Sequence, residues 1–262
     1  MLGAVFGDVA GSLYEFNTIK TKEFPLFSPG CRFTDDSVMT LAVFEVVKDP
    51  DIIERTDGEV RSLFTSSMRT WGRRYPRVGY GERFSHWLLS DMQGGYWSYA
   101  NGAAMRVSPV SWAFETERET LRFARLSAEV SHNHPDAVKG AQSAALAGFM
   151  ARKGAEKEEI RDRMQKEYGY DLAQTLDVIR GGYTFELACL DTVEKALIAF
   201  LESTDFCDAV RNAVSLGGDS DTIGAVCGGI AEAYYGIPEK WTERLRAFLN
   251  KDFDEIALYK NS

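Results

Sequence analysis

The segment Ser215-Leu-Gly-Gly-Asp-Ser-Asp-Thr-Ile-Gly-Ala-Val-Cys-Gly-Gly-Ile-Ala-Glu-Ala-Tyr-Tyr235 decides how the chain is read. It opens on small residues, sets Asp219, Asp221 and Thr222 within four positions, and then runs almost without charge through Ile223, Val226, Ile230 and Tyr234. This pattern predicts a buried helix that starts in a cluster of oxygen ligands. Free N–H groups at a helix start offset only part of the cost of placing two carboxylates beside an apolar segment. A bound cation would offset the rest; the alternative is an N-cap with a spare, solvated acid.

The same device recurs near the other end of the chain. Thr34-Asp35-Asp36-Ser37 leads into Val38-Met-Thr-Leu-Ala-Val-Phe-Glu-Val-Val47, again an acidic, hydroxyl-bearing start to a nearly uncharged helix. Thr34, Asp35, Asp36, Asp219, Asp221 and Thr222 together offer four carboxylates and two hydroxyls. Hard oxygen ligands of this kind suit Mg²⁺, Mn²⁺ or Ca²⁺ rather than zinc or copper. If folding brings the two clusters together, four negative charges call for two divalent ions, and a binuclear site is the economical reading. Such a site holds vicinal hydroxyls or a phosphate and activates a water, which leaves phosphohydrolase, glycohydrolase and plain metal-binding protein all open.

The remaining segments set these clusters in a helical framework. Between Gly3 and Phe16, glycines at 3, 7 and 11 fall at four-residue spacing. On a helix they form one smooth stripe for close packing, despite a propensity cost of about 1 kcal/mol each. Glu15 stands at the end of this segment, before a long loop over 17–33. Apolar spacing predicts helices over 57–74, 117–130, 156–168, 172–179, 194–201, 206–215 and 238–249. Another starts at Pro135, with Val138, Ala141, Ala145 and Phe149 on its apolar face. Residues 75–102 and 180–193 read as irregular. Asn101-Gly102 is a turn signal, and Ala103 to Val107 suits a helix start whose free N–H groups can hold a phosphate. His132 and His134 flank a turn before Pro135, a placement that does not suggest zinc. With about ten helices, no alternating strands and no repeat, the expected fold is all-α: one compact multi-helix domain over residues 1–262.

Composition narrows the class. Thirty Lys and Arg stand against 39 Asp and Glu, giving a net charge of −9 and a pI near 5.0. That balance argues against nucleic acid or an anionic membrane surface as the main partner. Cys31, Cys189, Cys207 and Cys227 form no Cys-x-x-Cys pair, so neither a zinc site nor a disulfide framework is expected. No apolar run approaches a membrane span, and the first residues lack the basic region of a signal peptide. A soluble, cytoplasmic monomer is expected.

Five motifs now gain a common meaning: Gly7-Asp-Val-Ala-Gly-Ser-Leu-Tyr-Glu-Phe16, Phe33-Thr-Asp-Asp-Ser-Val-Met-Thr40, Asn101-Gly-Ala-Ala-Met-Arg106, Ser131-His-Asn-His-Pro135 and Leu216-Gly-Gly-Asp-Ser-Asp-Thr222. In order and spacing they resemble the ADP-ribosylglycohydrolase family. The resemblance implies an all-α fold with two divalent cations, Mg²⁺ or Mn²⁺. It also implies release of ADP-ribose from a modified protein side chain or small molecule. Matched position by position, it makes Thr34, Asp35, Asp36, Asp219, Asp221 and Thr222 the metal ligands and gives Glu15 and Asp36 catalytic roles. It sets Asn101, Gly102, Ala103, Met105 and His134 against the ADP-ribose. A non-catalytic ADP-ribose-binding protein, or a hydrolase of a small ribosylated nucleotide, fits the same residues.

Overall fold

The glycine stripe near the N-terminus has a counterpart near the C-terminus, and the two press together along an antiparallel seam. A Cβ on Gly7 would lie 1.8 Å from the carbonyl oxygen of Gly224, one on Gly3 2.2 Å from that of Gly228, and one on Gly11 2.4 Å from that of Ser220. These two helices therefore meet backbone to backbone. Gly3 N–H also donates to the Glu232 carboxylate at 2.8 Å, which fixes the far end of the seam.

The computed structural model describes residues 1–259. Its helices, in chain order, are α1 (Leu2–Gly11), α2 (Asp35–Val47), α3 (Asp57–Arg74), α4 (Glu82–Leu89), α5 (Ser108–Ala113), α6 (Glu117–Glu129) and α7 (Pro135–Arg152). They continue as α8 (Lys157–Tyr168), α9 (Leu176–Gly182), α10 (Cys189–Leu201), α11 (Phe206–Val214), α12 (Ser220–Tyr235), α13 (Glu239–Leu245) and α14 (Asp254–Leu258). Among the described residues there is no strand, only one isolated bridge between Ala100 and Ala188. The fold is all-α. Among the same residues no helix is long and apolar enough to cross a membrane.

Helices α1 and α12 form the axis of the molecule, and α2, α5, α7, α10 and α11 pack around them. Every residue of α1 is buried, as is α12 from Ser220 to Ala231, which explains why both sequences lack a polar face. The outer helices are amphipathic instead. Helix α3 buries Val60, Phe64, Met68 and Gly72, and its start is set by a capping box between Thr56 and Glu59. Helix α8 buries only Ile160 and Met164 and ends at Gly169 in the left-handed region.

Three departures from the sequence reading concern boundaries. Helix α4 lies within the stretch read as irregular: Phe84, Trp87 and Leu88 give it one buried face, yet at eight residues its period is too short to stand out among the neighbouring glycines and tyrosines. Helix α9 runs from Leu176 to Gly182 rather than over 172–179, with Gly181 and Gly182 in its last turn. Helix α10 begins at Cys189, because Ala188 is held by the bridge to Ala100 and the chain can turn helical directly after it.

The seam leaves no space for a side chain, so Gly7→Ala is expected to lower stability by about 3 kcal/mol, through overpacking against rigid backbone. Gly58, in the first turn of α3, is different: a Cβ there would meet nothing within 4 Å. Gly58→Ala should instead stabilise by about 0.5 kcal/mol. Urea unfolding of the two variants checks both signs.

Candidate metal centre and cavity

Because α1 and α12 run antiparallel with Gly11 against Ser220 and Asp221, the end of α1 faces the start of α12. Asp8, one turn back on α1, is fully buried and collects the start of α2. Its Oδ2 accepts from Thr34 N–H at 2.8 Å, from Ser37 N–H at 3.1 Å and from the Ser37 hydroxyl, while Oδ1 accepts from the Thr34 hydroxyl at 2.8 Å. Two helix N-termini, those of α2 and α12, thus converge on one point. Oxygens of Asp8, Asp36 and Asp221 lie within 4.8 Å of one another, as do oxygens of Glu15, Asp219 and Asp221.

The two sequence clusters therefore do meet. Asp36 and Asp221 are each 3% exposed. Thr34 caps α2, its hydroxyl accepting from Asp36 N–H at 3.3 Å. The Thr222 hydroxyl donates to Asp36 Oδ2 at 3.3 Å and its N–H to Asp221 Oδ1 at 3.0 Å. Asp36 Oδ1 is buried with no hydrogen-bond partner. Asp219 precedes α12 on a turn made by Gly217 and Gly218, whose φ values of +70° and +69° favour glycine. A Cβ on Gly218 would also come within 2.9 Å of the Thr184 carbonyl oxygen. Glu15 lies beyond the end of α1, half-buried at the same point.

No Lys or Arg among the described residues forms an ion pair with Asp8, Glu15, Asp35, Asp36, Asp219 or Asp221. Burial, with the neighbouring carboxylates adding to it, pushes Asp35, Asp36 and Asp221 well above the usual carboxylate range. Burial raises Asp8 to about 6 against the pull of its four hydrogen bonds, and burial and then the Asp219 charge raise Glu15 to about 7. An orphaned carboxylate oxygen inside an uncompensated, all-oxygen cluster fits hard divalent cations. Of the six residues expected as ligands, Asp36, Asp219 and Asp221 fall in the two groups of close carboxylates, Thr34 and Thr222 are hydrogen-bonded to Asp36, and Asp35 lines the cavity.

These acids form one wall of a cavity of about 450 Å³. The lining also includes aromatic and nitrogen-bearing side chains: Phe84, Tyr96, Arg83, Arg106 and His132. The Asn101–Ala103 turn is tied to the acidic side, since the Asn101 amide donates to Asp219 Oδ2 at 2.7 Å and to the Thr192 hydroxyl at 3.1 Å. Asn101, Gly102 and Met105 line the cavity; Ala103 is fully buried behind it. At the mouth, Phe16 and Phe185 face each other with ring planes 16° apart.

His132 is in the cavity wall, whereas His134 caps α7, its Nδ1 accepting from Asp136 N–H at 3.2 Å and its ring against Trp97 and Tyr99. Pro135 at the first helical position commits His134 to the extended cap conformation, which turns the ring towards the helix start. Asp8 is a further site residue that the spacing arguments do not single out. It is nevertheless the sole charge between Met1 and Glu15, a signal that it serves something other than the helix face.

A family model described as ADP-ribosylglycohydrolase matches residues 1–261. The chain belongs to the ADP-ribosylglycohydrolase family. It is similar to ADP-ribosylhydrolase ARH3 of Mus musculus, at 27% identity over 99% of this chain and 90% of that protein. ADP-ribosylarginine hydrolase Tri1 of Pseudomonas putida is 27% identical over 94% of this chain and 72% of its own length. A solved structure titled ADP-ribosylglycohydrolase-related protein complex superposes with a TM-score of 0.67 at 25% identity, covering 94% of each chain.

The raised carboxylates have a consequence for stability. A folded-state pKa above the unfolded value means that the folded chain holds more protons, so stability falls as pH rises from the unfolded carboxylate range through about 6 for Asp8 and about 7 for Glu15. Metal-free protein in EDTA should therefore melt at lower temperature at pH ~8 than at pH ~5, and millimolar Mg²⁺ or Mn²⁺ should remove the difference at the higher pH. Differential scanning fluorimetry across that range checks the sign.

Proposed function

We propose that this chain hydrolyses the glycosidic bond between ADP-ribose and a modified acceptor, a protein side chain or a small molecule, with two divalent cations, Mg²⁺ or Mn²⁺, as cofactors. The observation that carries the reading is the orphaned Asp36 Oδ1, buried beside Asp8 and Asp221 at the meeting of two helix starts. It lies on a cavity whose size suits a small ligand and whose lining also includes arginine and aromatic side chains. That polarity fits a molecule with sugar hydroxyls at one end and an anion and a planar base at the other. The names of the ARH3 and Tri1 relatives, both ADP-ribosyl hydrolases, support the same substrate.

Divalent cations held by the acidic wall would supply Lewis acidity to a sugar hydroxyl or phosphoryl oxygen and lower the pKa of a nearby water. The chain's own groups do the rest. Asn101, anchored on Asp219 and Thr192, fixes the turn that carries Gly102 into the cavity. Departure of the acceptor builds positive charge on the ribose, which the carboxylates around Asp36 and Asp221 stabilise. Glu15, raised to about 7 and half-buried at the mouth, exchanges a proton near neutrality and suits proton transfer to the leaving atom or from the attacking water.

Release of ADP-ribose from arginine-, serine- and O-acetyl-linked substrates, with excess Mg²⁺ or Mn²⁺, tests the reading. Asp36→Asn and Asp219→Asn should each reduce turnover by at least about 100-fold. Wild-type rates in either variant would remove the metal-centred chemistry. Glu15→Gln should lower kcat by about 10²- to 10⁴-fold and erase the limb that Glu15 contributes to the pH profile. ADP-ribose binding without hydrolysis of any substrate would favour the non-catalytic reading.

A further inference from the structure

His132 sits in the cavity wall with its two ring nitrogens in unlike surroundings. On the inner side, Nδ1 lies 2.8 Å from the Ser131 hydroxyl. On the cavity side, Nε2 faces Gly102, where a Cβ would come within 2.8 Å of it, and its polar neighbour is the Tyr96 hydroxyl at 3.5 Å. Which nitrogen carries the proton decides whether the cavity meets a donor or an acceptor.

The contacts of Ser131 resolve this. Arg106 is fully buried, and its Nη2 donates to the Ser127 carbonyl at 2.8 Å and to the Ser131 hydroxyl oxygen at 2.9 Å. A guanidinium has no acceptor, so the Ser131 oxygen must receive that hydrogen bond. Its single proton is then free for one acceptor, and His132 Nδ1 is the neighbour in reach. Were Nδ1 protonated instead, both protons would converge on one oxygen and the buried hydroxyl proton would be left without a partner.

We propose that Arg106 and Ser131 are positioning residues that hold His132 in the neutral, Nε2-protonated form, so that it presents a single hydrogen-bond donor past Gly102 to an anionic oxygen of the ligand. Burial, with the Arg106 charge next, pushes the imidazole well below its ordinary pKa, which keeps the ring neutral. The remaining Arg106 nitrogens, Nε and Nη1, have no hydrogen-bond partner, so the guanidinium lends positive charge to this wall without bonding to His132 itself. A neutral donor backed by a fixed charge holds an anion without a proton that the ligand could take up. The ligand part of this proposal rests on the ADP-ribose reading; the tautomer does not.

The chain has three histidines, His86, His132 and His134, so long-range ¹H–¹⁵N spectra of ¹⁵N-histidine-labelled, ligand-free protein resolve each ring. The wild type should show His132 neutral and Nε2-protonated from about pH 5.5 to 8. Ser131→Ala should lose the fixed tautomer and bind ADP-ribose on the order of ten-fold more weakly, while Ser131→Thr, which keeps the hydroxyl, should retain both. An Nδ1-protonated or imidazolium ring in the wild type overturns the proposal. So does Ser131→Ala with tautomer and affinity unchanged, or with the tautomer changed and affinity intact. Failure of the wild type to bind ADP-ribose would instead defeat the substrate reading, leaving the ligand-free spectra to judge the relay.

Discussion

The site exists because two helices touch without side chains between them. Most packed helices keep their axes 8–10 Å apart through intervening side chains. Here Gly3, Gly7 and Gly11 meet Gly228, Gly224 and Ser220 in antiparallel order, and carbonyl oxygens occupy the space a Cβ would need. That closeness sets the distance from Asp8 and Glu15 to Asp221, and the antiparallel register sets which carboxylates meet. Residues at opposite ends of the chain are thereby held to the tolerance of backbone contact rather than of side-chain packing, which is tighter and less able to relax.

Such a seam also lets a destabilising site fold. Asp36 and Asp221, in the first turns of α2 and α12, are buried, raised in pKa and without an ion-pair partner, so they work against folding when ionised. Helix N-termini and the hydrogen bonds to Asp8 recover part of this. The apolar bulk of α1, α2 and α12 has to supply the remainder, consistent with a single charged residue along each beyond its first turn. Local cost carried by a surrounding core is the usual mark of a site shaped for a ligand.

Much of this is legible in the sequence, for identifiable reasons. A helix start that combines carboxylates and hydroxyls with an uncharged continuation is unusual enough to be noticed, and two of them make the metal reading independent of any relative. Glycines at four-residue spacing signal a close approach, though not its partner, since Gly224 and Gly228 have the same spacing within a helix whose acids draw the eye first. Asp8 escapes because its function is to organise Thr34 and Ser37, a relation visible only when the turns are brought together. His132 escapes in favour of His134 because direction at a turn depends on the cap geometry that Pro135 imposes, which residue spacing does not encode. Helix α4 is hidden by length alone: Phe84, Trp87 and Leu88 carry the right period over too few residues to register.

The two walls of the cavity also impose an orientation that neither would impose alone. An acidic cluster repels an anion by itself, and divalent cations held there would reverse that preference towards hydroxyl and phosphoryl oxygens. Arg83 over the Tyr96 ring and the buried Arg106 over the Phe84 ring bring positive charge to the same cavity. A ligand carrying both features at a fixed separation has one favourable way to lie, whereas a free phosphate or a free sugar satisfies only one end. Asn101 couples the ends mechanically, since its amide is bonded to Asp219 while its turn places Gly102 against His132. The Asn101–Ala103 turn thus joins the acidic cluster to the His132 side of the cavity by direct contacts at both ends.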